Sequence, residues 1–512
     1  MKKVLKSLLS RTSMIALAIL VQVAVPVLMI TQFSNYYVWF YGVCYVISIV
    51  VTLWILNNSE LNPTYKLAWI VAILLFPIFG GLFYLMFGRS RHNRMIRRSV
   101  SLENQSFRAF LKPDPEILEE ITEQNPDAGA QVRYLQRYSN CPACRNGSAV
   151  YFPNGESKFR ALVEELKKAE RFIFLEYFII REGVMWDTVL DILAQKARQG
   201  VEVRVLYDDM GCLFTLPFKY SRRLEKMGIQ CSVFNSFVPF LSTLMNNRDH
   251  RKIVVIDGKV AFTGGVNLAD EYINLSPRFG KWKDAAIMIR GDAVWNFTVM
   301  FLSLWGFERK ITEDYEKFRA VQEEPGEPQE GGYVLPYSDN PLDWEPVGRN
   351  VYLNLISRAK QYVYINTPYL IPDNEVLTAL CNAAKSGVDV RIITPHIPDK
   401  KLVYMVTRAN YEVLVRNGVK IYEFLPGFNH AKTIVCDDEY GIVGTINFDY
   451  RSFYMHFECG AWLFRCPAIG SMRDEYLMSL LQCRQVVHAE CRSRRWYVRA
   501  LNSVLNLFAP LM

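Results

Sequence analysis

The stretch His250-Arg-Lys252-Ile-Val-Val-Ile-Asp257, followed by Gly264-Gly265-Val-Asn267, decides the fold of this 512-residue chain, because the chain contains it twice. The second copy is His430-Ala-Lys432-Thr-Ile-Val-Cys-Asp437, followed by Gly444-Thr445-Ile-Asn447. In both copies Asp follows Lys by five positions, a glycine follows Asp by seven, and Asn follows that glycine by three. A lone histidine is usually an ordinary core or surface residue. The recurrence of the whole pattern with identical spacing therefore indicates a function.

The segments ahead of the two motifs also repeat. In the first copy, Phe172–Ile180 (FIFLEYFII) has the pattern of a buried strand, and a helix-like segment leads from it to a second strand, Val201–Tyr207 (VEVRVLY). In the second copy, Tyr362–Asn366 (YVYIN) and Val388–Thr394 (VDVRIIT) have the same roles. Apolar strands that alternate with helices predict an α/β fold, here with two tandem domains that each contain a largely parallel or mixed sheet.

The histidine and lysine of each motif are suited to phosphoryl transfer. On a β-strand, His-x-Lys places both side chains on one face, because successive residues alternate sides. One histidine can attack phosphorus and form a covalent intermediate, while the other protonates the leaving alkoxide and then deprotonates the incoming hydroxyl. Lysines and asparagines can neutralise and orient phosphate oxygens, in the role that metal ions fill elsewhere. The motifs therefore predict a phosphodiester-transferring site that uses no cofactor and no metal ion.

The other motif residues have expected supporting roles. An aspartate hydrogen-bonded to an imidazole holds its tautomer and raises its basicity, so we expect Asp257 and Asp437 to orient the histidines, with the pairing left open. Gly265 and Thr445 are small enough to let a phosphate approach backbone N–H groups closely. The predicted catalytic residues are His250, Lys252, Asp257, His430, Lys432 and Asp437, and the predicted substrate-binding residues are Asn267, Asn447, Gly265 and Thr445.

Apolar and basic residues are concentrated at the N-terminus. Three uncharged stretches, Met14–Thr31, Tyr36–Leu56 and Leu67–Gly88, are each about long enough to cross a bilayer core of roughly 30 Å. Residues 1–98 hold ten Lys/Arg and one acid, which gives +9 there and leaves −1 for the rest of the chain, whose total is +8. We expect the basic surface to contact anionic lipid headgroups. The near-neutral catalytic region disfavours a nucleic-acid partner.

Charge placement predicts the orientation in the cell membrane. Basic clusters lie on both sides of the apolar region, and the positive-inside tendency would place both in the cytoplasm. The third stretch contains Pro77 and Gly80-Gly81, which break or bend a helix, so we expect it to be re-entrant or interfacial. The sequence thus predicts a multi-pass membrane protein with cytoplasmic catalytic domains. A cleaved signal peptide is the alternative for the first stretch.

Composition sets the predicted domain boundaries. Glu323–Gly332 (EEPGEPQEGG) has no apolar period and predicts a linker. Arg492–Met512 mixes arginines with aromatic and aliphatic residues, which is typical of an interfacial amphipathic helix; a helix packed on its own domain is the alternative. We predict membrane-anchoring segments over 1–98, a connector over 99–136, a first domain over 137–322, a linker over 323–332, a second domain over 333–490 and a basic amphipathic segment over 491–512.

Beyond the motifs, several stretches resemble the phospholipase D superfamily and, within it, the bacterial cardiolipin synthases. They are Leu175-Glu-Tyr177, Tyr207-Asp-Asp-Met-Gly211, Trp282-Lys-Asp284, Thr367-Pro-Tyr369, Asn447-Phe-Asp-Tyr-Arg-Ser452 and Phe457-Glu458. The resemblance covers nearly the whole chain. It departs at Thr445, where serine is common in the family, and this departure keeps the hydroxyl group.

The resemblance implies one active site between two phospholipase D-like domains related by pseudo-twofold symmetry. It implies that the two motifs pair across the domain interface, with Asn267 and Asn447 assisting phosphate binding. The family's usual assignment makes His250 the nucleophile and His430 the acid and base. The implied reaction transfers a phosphatidyl group from one phosphatidylglycerol to the terminal hydroxyl of another and releases glycerol, at the surface of an anionic lipid bilayer.

The motifs and the resemblance leave other functions open. The motifs do not separate water from alcohol as the acceptor, so a phospholipase D-type hydrolase or another phosphatidyltransferase is the main alternative. A nuclease of the same superfamily is disfavoured by the near-neutral catalytic region. A non-catalytic membrane scaffold would need at least one broken motif, and both motifs are intact. The sequence assigns no oligomeric state.

Overall fold

The computed structural model describes residues 27, 31, 37–58, 63–75, 84, 107–236, 247–320, 331–343, 345–492 and 496–509, and the chain divides into two compact units. The first unit contains helices α1 (Tyr37–Asn57) and α2 (Pro63–Leu75). Val51 and Ile55 of α1 form a small apolar cluster with Trp69 and Ile73 of α2. The second unit contains the described residues from 107 to 234 and from 248 to 509.

The predicted membrane segments are only partly covered by the described residues. Within that part of the chain, no helix is both long enough and apolar enough to cross a membrane. The prediction of several membrane spans is therefore not confirmed. Met14–Thr31 lies outside the described residues except at two positions, and Leu67–Gly88 is described only as far as Leu75 and at Tyr84.

The second unit alternates strands and helices. Its strands are β1 (Cys144–Arg145), β2 (Ser148–Phe152), β3 (Phe172–Tyr177), β4 (Glu202–Asp208), β5 (Gln230–Phe234), β6 (Arg248–Asp249), β7 (Ile253–Ile256), β8 (Val260–Gly264), β9 (Lys281–Lys283), β10 (Ala286–Arg290), β11 (Tyr333–Asp339), β12 (Tyr362–Asn366), β13 (Leu370–Ile371), β14 (Asp389–Pro395), β15 (Lys420–Phe424), β16 (Gly427–Asn429), β17 (Thr433–Cys436), β18 (Tyr440–Gly444), β19 (Phe448–Asp449), β20 (His456–Phe464) and β21 (Cys483–Gln485). Its α-helices are α3 (Pro115–Gln124), α4 (Pro126–Tyr138), α5 (Gly155–Lys168), α6 (Val184–Arg198), α7 (Tyr220–Lys226), α8 (Val294–Arg309), α9 (Val347–Arg358), α10 (Asn374–Lys385), α11 (Lys401–Arg416), α12 (Tyr450–Tyr454), α13 (Ala468–Leu480), α14 (His488–Arg492) and α15 (Trp496–Leu507).

Two large sheets repeat one topology. The first has the order β2-β10-β8-β7-β3-β4-β5, and the second contains the same series as β11-β20-β18-β17-β12-β14-β15. In both, the strand that opens the repeat is parallel to the next strand and antiparallel to the strand within the motif, β7 or β17. The second sheet is extended by β1 and β21 at its edges. The prediction of an α/β fold with two repeated domains and mixed sheets is confirmed.

The predicted strands 201–207 and 388–394 agree with β4 and β14 to within one residue at each end. Every residue of β3 and β12 is buried, as expected for strands covered on both faces. The first predicted strand was extended too far, because β3 ends at Tyr177 and the residues after it form a loop. That loop borders the site described below.

The two sheets share part of one core. Helix α8 is apolar around its whole circumference, and its residues from Phe297 to Trp305 are all buried. It contacts β7 and β8 of the first sheet and β11 of the second. A helix without a polar face has to be buried on all sides. Helix α8 therefore fixes the two halves against each other, with Phe174 and Val334 in the same apolar cluster.

The C-terminal segment forms helix α15, which packs against α11. Leu505 joins an apolar cluster with Val406 of α11. Trp496 and Val504, by contrast, expose 81% and 54% of their surface. The segment is therefore a helix with one face packed on its own domain and apolar side chains on the other, and its contact with a membrane stays a prediction.

Candidate active site

Each histidine motif is held by a strand of the opposite half. The strand β6, just ahead of the first motif, pairs in parallel with β20 of the second half. The strand β16, just ahead of the second motif, pairs in parallel with β9 of the first half. The backbone N–H of His250 donates to Phe457 O at 2.9 Å, and that of His430 donates to Lys283 O at 2.7 Å. The two halves thus exchange short strands, and the exchange brings both motifs to one interface.

The exchange also gives each histidine a carboxylate from the other half. Nδ1 of His250 lies 2.9 and 3.0 Å from the two carboxylate oxygens of Glu458. Nδ1 of His430 lies 2.7 Å from Oδ2 of Asp284. All four side chains are buried, so little solvent weakens these contacts.

The hydrogen bonds define the chemical state of the two imidazoles. Because an ionised carboxylate only accepts, Nδ1 of each ring carries the proton and Nε2 keeps its lone pair. Burial, reinforced by Lys252 and Lys432, holds the pKa of His250 well below its usual value. Burial also lowers the pKa of His430 to about 4, although Asp284 opposes the shift. Both rings are therefore neutral near pH 7 and present a basic nitrogen.

The two motif lysines are buried beside the histidines. Each Nζ donates to the backbone carbonyl of the histidine two residues earlier in the chain. Burial lowers the pKa of Lys252 to about 8 and, together with the charge of Lys252, lowers the pKa of Lys432 to about 7. Two ammonium groups buried in the same site repel each other, so the site favours the binding of an anion between them.

The two motif aspartates do not contact the histidines, so the expected contact is wrong. The carboxylate of Asp257 accepts the backbone N–H groups of Glu170, Arg171 and Phe172, each at 2.8 Å. Asp437 accepts those of residues 360, 361 and 362 at 2.7–2.8 Å. Both aspartates have positive φ, at 55° and 54°, in the turn after the motif strand. They fix the start of β3 and β12 to that turn.

The two motif asparagines differ in their contacts. Asn267 is committed at both ends of its amide, since Oδ1 accepts from the N–H of Ile179 at 3.0 Å and Nδ2 donates to the hydroxyl of Tyr272 at 2.7 Å. Asn447 Oδ1 is buried without a hydrogen-bond partner among the described residues. One hydrogen of the Asn267 amide is still available to a phosphate oxygen.

Gly265 and Thr445 do not offer free backbone N–H groups, so the expected approach of phosphate to them is wrong. The N–H of Gly265 donates to Ala285 O and that of Thr445 to Cys459 O, both at 2.9 Å. Their side-chain positions serve the carboxylates instead. A Cβ on Gly265 would lie 2.0 Å from Oδ1 of Asp284, and the Thr445 hydroxyl donates to Glu458.

Buried ion pairs hold the chain on both sides of His250. Arg248 Nε lies 2.9 Å from a carboxylate oxygen of Asp208, which also accepts the N–H of Asp249 at 3.0 Å. Arg251 Nε lies 2.7 Å from Glu176, and both side chains are fully buried. Asp208 and Glu176 belong to two of the stretches that carry the family resemblance, and these contacts give them a structural role.

Sequence reasoning did not assign roles to three residues of the site, namely Asp284, Glu458 and His456. Asp284 follows Trp282 by two positions and Glu458 directly follows Phe457, and the two carboxylates lie at different distances from their motifs, so the repeat spacing does not reveal them. The ring of His456 lies 5.4 Å from that of His250, and its Nδ1 lies 3.6 Å from Glu458 Oε1.

The group formed by His250, His456 and Glu458 has the donor atoms of a metal site. One nitrogen or oxygen from each residue lies within 4.8 Å of the others. A metal ion there would replace the proton that Nδ1 of His250 shares with Glu458. It would also take the carboxylate that holds the ring, so these residues suit orientation of His250 better than a resident metal.

Comparisons with known proteins identify the family of the two repeated domains. The family profile described as "Cardiolipin synthase, PLD-like domain" matches residues 162–290 and 352–476, and "Phospholipase_D-nuclease N-terminal" matches residues 46–89. A Streptococcus mutans protein of uncharacterised function is 45% identical over 89% of this chain and 98% of its own length. A Geobacillus kaustophilus protein named cardiolipin synthase is 35% identical over 91% of this chain and 92% of its own length.

One solved structure has the same fold. The crystal structure of a phosphatidylserine synthase from Haemophilus influenzae aligns with a TM-score of 0.57 at 13% identity and covers 75% of this chain and 100% of its own. At that identity the similarity establishes the fold alone.

Proposed function

This chain belongs to the phospholipase D-like cardiolipin synthase family and is a phosphatidyltransferase, and we propose that it makes cardiolipin and glycerol from two molecules of phosphatidylglycerol. One observation carries the proposal. Two neutral histidines, each held by a carboxylate of the opposite half, share a buried place with two lysines. Such a site has one nucleophile and one acid and base for a two-step transfer at phosphorus.

In the first proposed step, Nε2 of His250 attacks the phosphorus of the first phosphatidylglycerol. The P–N bond forms as the P–O bond to the head-group glycerol breaks, and His430 gives its proton to the leaving oxygen. The negative charge of the bound phosphodiester raises the pKa of His430, so the ring takes up a proton from solvent when the lipid binds. Glu458 stabilises the positive charge that develops on His250, since it lies 2.9 Å from Nδ1.

In the second proposed step, His430 accepts the proton of the terminal hydroxyl of another phosphatidylglycerol. The deprotonated oxygen attacks phosphorus, the P–N bond breaks, and cardiolipin leaves with His250 neutral again. The assignment of His250 as nucleophile is supported by its surroundings. Burial and the charges of Lys252 and Lys432 lower the pKa of both rings, and at His430 the contact with Asp284 opposes that shift. A nucleophile needs a free lone pair, and an acid has to hold a proton.

The proposed roles of the other motif residues follow from their contacts. Lys252 and Lys432 neutralise the phosphate oxygens, and Asn267 and Asn447 orient them. Gly265 and Thr445 act indirectly by placing Asp284 and Glu458. Asp257 and Asp437 are positioning residues for the motif turns. In this proposal the lysines and asparagines contact the phosphate, and the other motif residues position the catalytic groups.

We also propose that the N-terminal unit attaches the enzyme to the cell membrane, with the catalytic unit in the cytoplasm. The three apolar stretches and the +9 charge of residues 1–98 support this location. Helix α1 presents apolar side chains outward, because Val46, Val50 and Leu53 each expose 60% of their surface. Lipid tails would cover this surface.

A direct test uses the purified full-length enzyme with phosphatidylglycerol, labelled in its head group, as the only lipid. The proposal predicts cardiolipin and free labelled glycerol in equal amounts. His250→Ala is the matched control and should form neither. Phosphatidic acid as the main product would contradict the proposal, because it would identify water as the acceptor and the enzyme as a hydrolase.

A further inference from the structure

Two surface connections occupy equivalent places in the two halves. In the first half the chain leaves β4 and runs through residues 209–219 to helix α7. In the second half it leaves β14, the counterpart of β4, and runs through residues 396–400 to helix α11. Both connections start at the carboxyl end of a strand in the parallel part of the sheet. In α/β folds, that edge is where ligands bind.

The first connection borders the site directly. Gly211 packs so tightly on Phe178 that a Cβ there would lie 2.0 Å from the Phe178 carbonyl oxygen. The ring of Phe178 is 5.1 Å from that of His250, and Lys252 Nζ lies 5.6 Å from the centre of the same ring. The connection therefore lies one residue layer from the reacting histidine.

The second connection borders the site from the other half. The charge of Lys400 contributes to the lowered pKa of His250. Lys400 Nζ also lies 5.6 Å from the centre of the Tyr369 ring, and Tyr369 contacts Phe428 beside His430. The first connection thus borders the surroundings of His250, and the second borders the aromatic residues beside His430.

Both connections present the same mixture of side chains to the outside. In the first, Phe214 and Phe218 expose 79% and 67% of their surface, next to the exposed Lys219. At the end of the second, Leu402 in the first turn of α11 exposes 60%, next to the exposed Lys400 and Lys401. Large apolar side chains are rarely so exposed in pairs unless they meet a partner.

We propose that Phe214, Phe218, Lys219, Lys400, Lys401 and Leu402 form a lipid-facing rim around the site, which contacts a bilayer that contains anionic lipid. This inference deepens the proposed function and rests on it for the identity of the substrate. Apolar tips that insert below the headgroups, flanked by cations that meet headgroup phosphates, are the chemistry of an interfacial protein surface. A nucleic acid would not require the exposed phenylalanines and leucine.

The rim explains how a two-tailed substrate reaches a buried histidine. Contacts on both sides of the site would place its opening against the bilayer. The phosphate of a lipid could then reach Lys252 and Lys432 while its acyl chains stay among their neighbours. The acceptor lipid would arrive by the same route, which raises its local concentration at the site.

A spectroscopic experiment tests the contact without relying on turnover. Phe214→Trp and Leu402→Trp are prepared in the full-length chain, with Met478→Trp, whose parent side chain is 63% exposed on α13, as the matched control. Each is added to vesicles of phosphatidylglycerol and phosphatidylcholine with or without brominated acyl chains. After subtraction of the parent emission, the added fluorescence at 214 and 402 should fall at least twofold with bromine, and that at 478 should not change. Equal quenching at all three positions, or none at 214 and 402, would overturn the rim, and the absence of quenching would leave a protein partner as the occupant.

A kinetic experiment separates the rim from the proposed chemistry. Phe214→Asp and Leu402→Asp should each lower turnover of phosphatidylglycerol in vesicles by about tenfold, because a charge replaces the inserted side chain. Turnover of a short-chain phosphatidylglycerol dispersed as monomers should stay within twofold of the parent, and Met478→Asp should change neither rate. Equal losses on both substrates would contradict the rim. A parent enzyme inactive on both substrates would contradict the proposed function while leaving the quenching result to decide the rim.

Discussion

The two halves of the catalytic unit share one frame but place their carboxylates differently. In the first half Asp284 lies over Gly265, where a Cβ would be only 2.0 Å away. In the second half Glu458 is one carbon longer and accepts the hydroxyl of Thr445, which occupies the place of Gly265. The first half therefore leaves space for its carboxylate beside a glycine, and the second half holds its carboxylate with a hydrogen bond. Both halves therefore contain a His–carboxylate pair, but the residue that positions the carboxylate differs between them.

The surroundings of the two histidines differ as well. His430 is enclosed by aromatic rings, with those of Tyr272, Trp282 and Phe428 centred 5.3–5.7 Å from it. His250 has Phe178 on one side and a second imidazole, His456, on another. A pseudo-symmetric frame therefore holds two chemically unequal rings, as a reaction with one nucleophile and one acid requires.

The largest expected effect comes from removing either ring. His250→Ala and His430→Ala should each lower turnover by at least about 10³-fold, since one removes the nucleophile and the other the proton donor. Product formation from labelled phosphatidylglycerol measures both variants. Two independent sites would instead leave about half of the activity in each single variant. That result would contradict a single shared site, because each half would then catalyse the reaction independently.

A smaller effect is expected where the halves use different supports. Gly265→Ala should lower turnover by roughly 10–100-fold, the range seen when a group that orients a metal-bound histidine is lost, because its Cβ displaces Asp284. Thr445→Ser keeps the hydroxyl that Glu458 accepts, and it should stay within about threefold of the parent. If Gly265→Ala were as active as Thr445→Ser, the close approach of Asp284 would not matter to the chemistry.

The motif aspartates should affect stability more than chemistry. Asp257→Ala and Asp437→Ala each leave three backbone N–H groups without their acceptor, so each should lower the free energy of unfolding by about 1–3 kcal/mol. Asn in place of Asp should cost less, because it keeps one acceptor oxygen and tolerates positive φ. Denaturant unfolding measures the loss. Turnover per folded molecule should change little. A loss of turnover as large as that of His250→Ala would contradict this structural role and assign the aspartates a part in catalysis.

The smallest expected effect is the contribution of Lys432 to proton uptake on anion binding, a fraction of one proton in addition to the proton that His430 takes up. The pKa of Lys432 in the empty site is about 7, so near pH 7.5 part of the population is uncharged. An anion favours the charged form, so binding inorganic phosphate should take up protons, and affinity should fall as the pH rises from 7 to 9. Calorimetry in buffers of different ionisation heats measures the uptake, with Lys432→Met as control. Proton release on binding would contradict the assignment.

The duplicated α/β fold was predictable from the sequence because the patterns that indicate its strands are local. The buried strands Tyr362–Asn366 and Phe172–Tyr177 stand out as short apolar runs, and their repetition fixed the duplicated α/β fold. The site was predictable only in part. The contacts His430–Asp284 and His250–Glu458 join residues 146 and 208 positions apart, and no pattern within one half reveals them.

The error over the aspartates has the same origin. A carboxylate five residues after a lysine suits an imidazole in chemistry, but the chain turns at Asp257 and Asp437 with positive φ, and the side chains meet backbone N–H groups instead. Turn geometry of this kind depends on which strand lies beside the motif. The sequence gives that neighbour only once the sheet order is known.

The central claim is that each half's histidine is held by the other half's carboxylate. Nitrogen NMR of ¹⁵N-histidine-labelled full-length enzyme tests it most directly, since Nδ1 and Nε2 shifts report the tautomer of each ring, and the chain has six histidines to resolve. Glu458→Gln should shift the His250 signals and leave those of His430 in place, whereas Asp284→Asn should do the reverse, and Asp257→Asn should move neither ring. A response of His250 to Asp257→Asn, or of His430 to Glu458→Gln alone, would contradict the exchange.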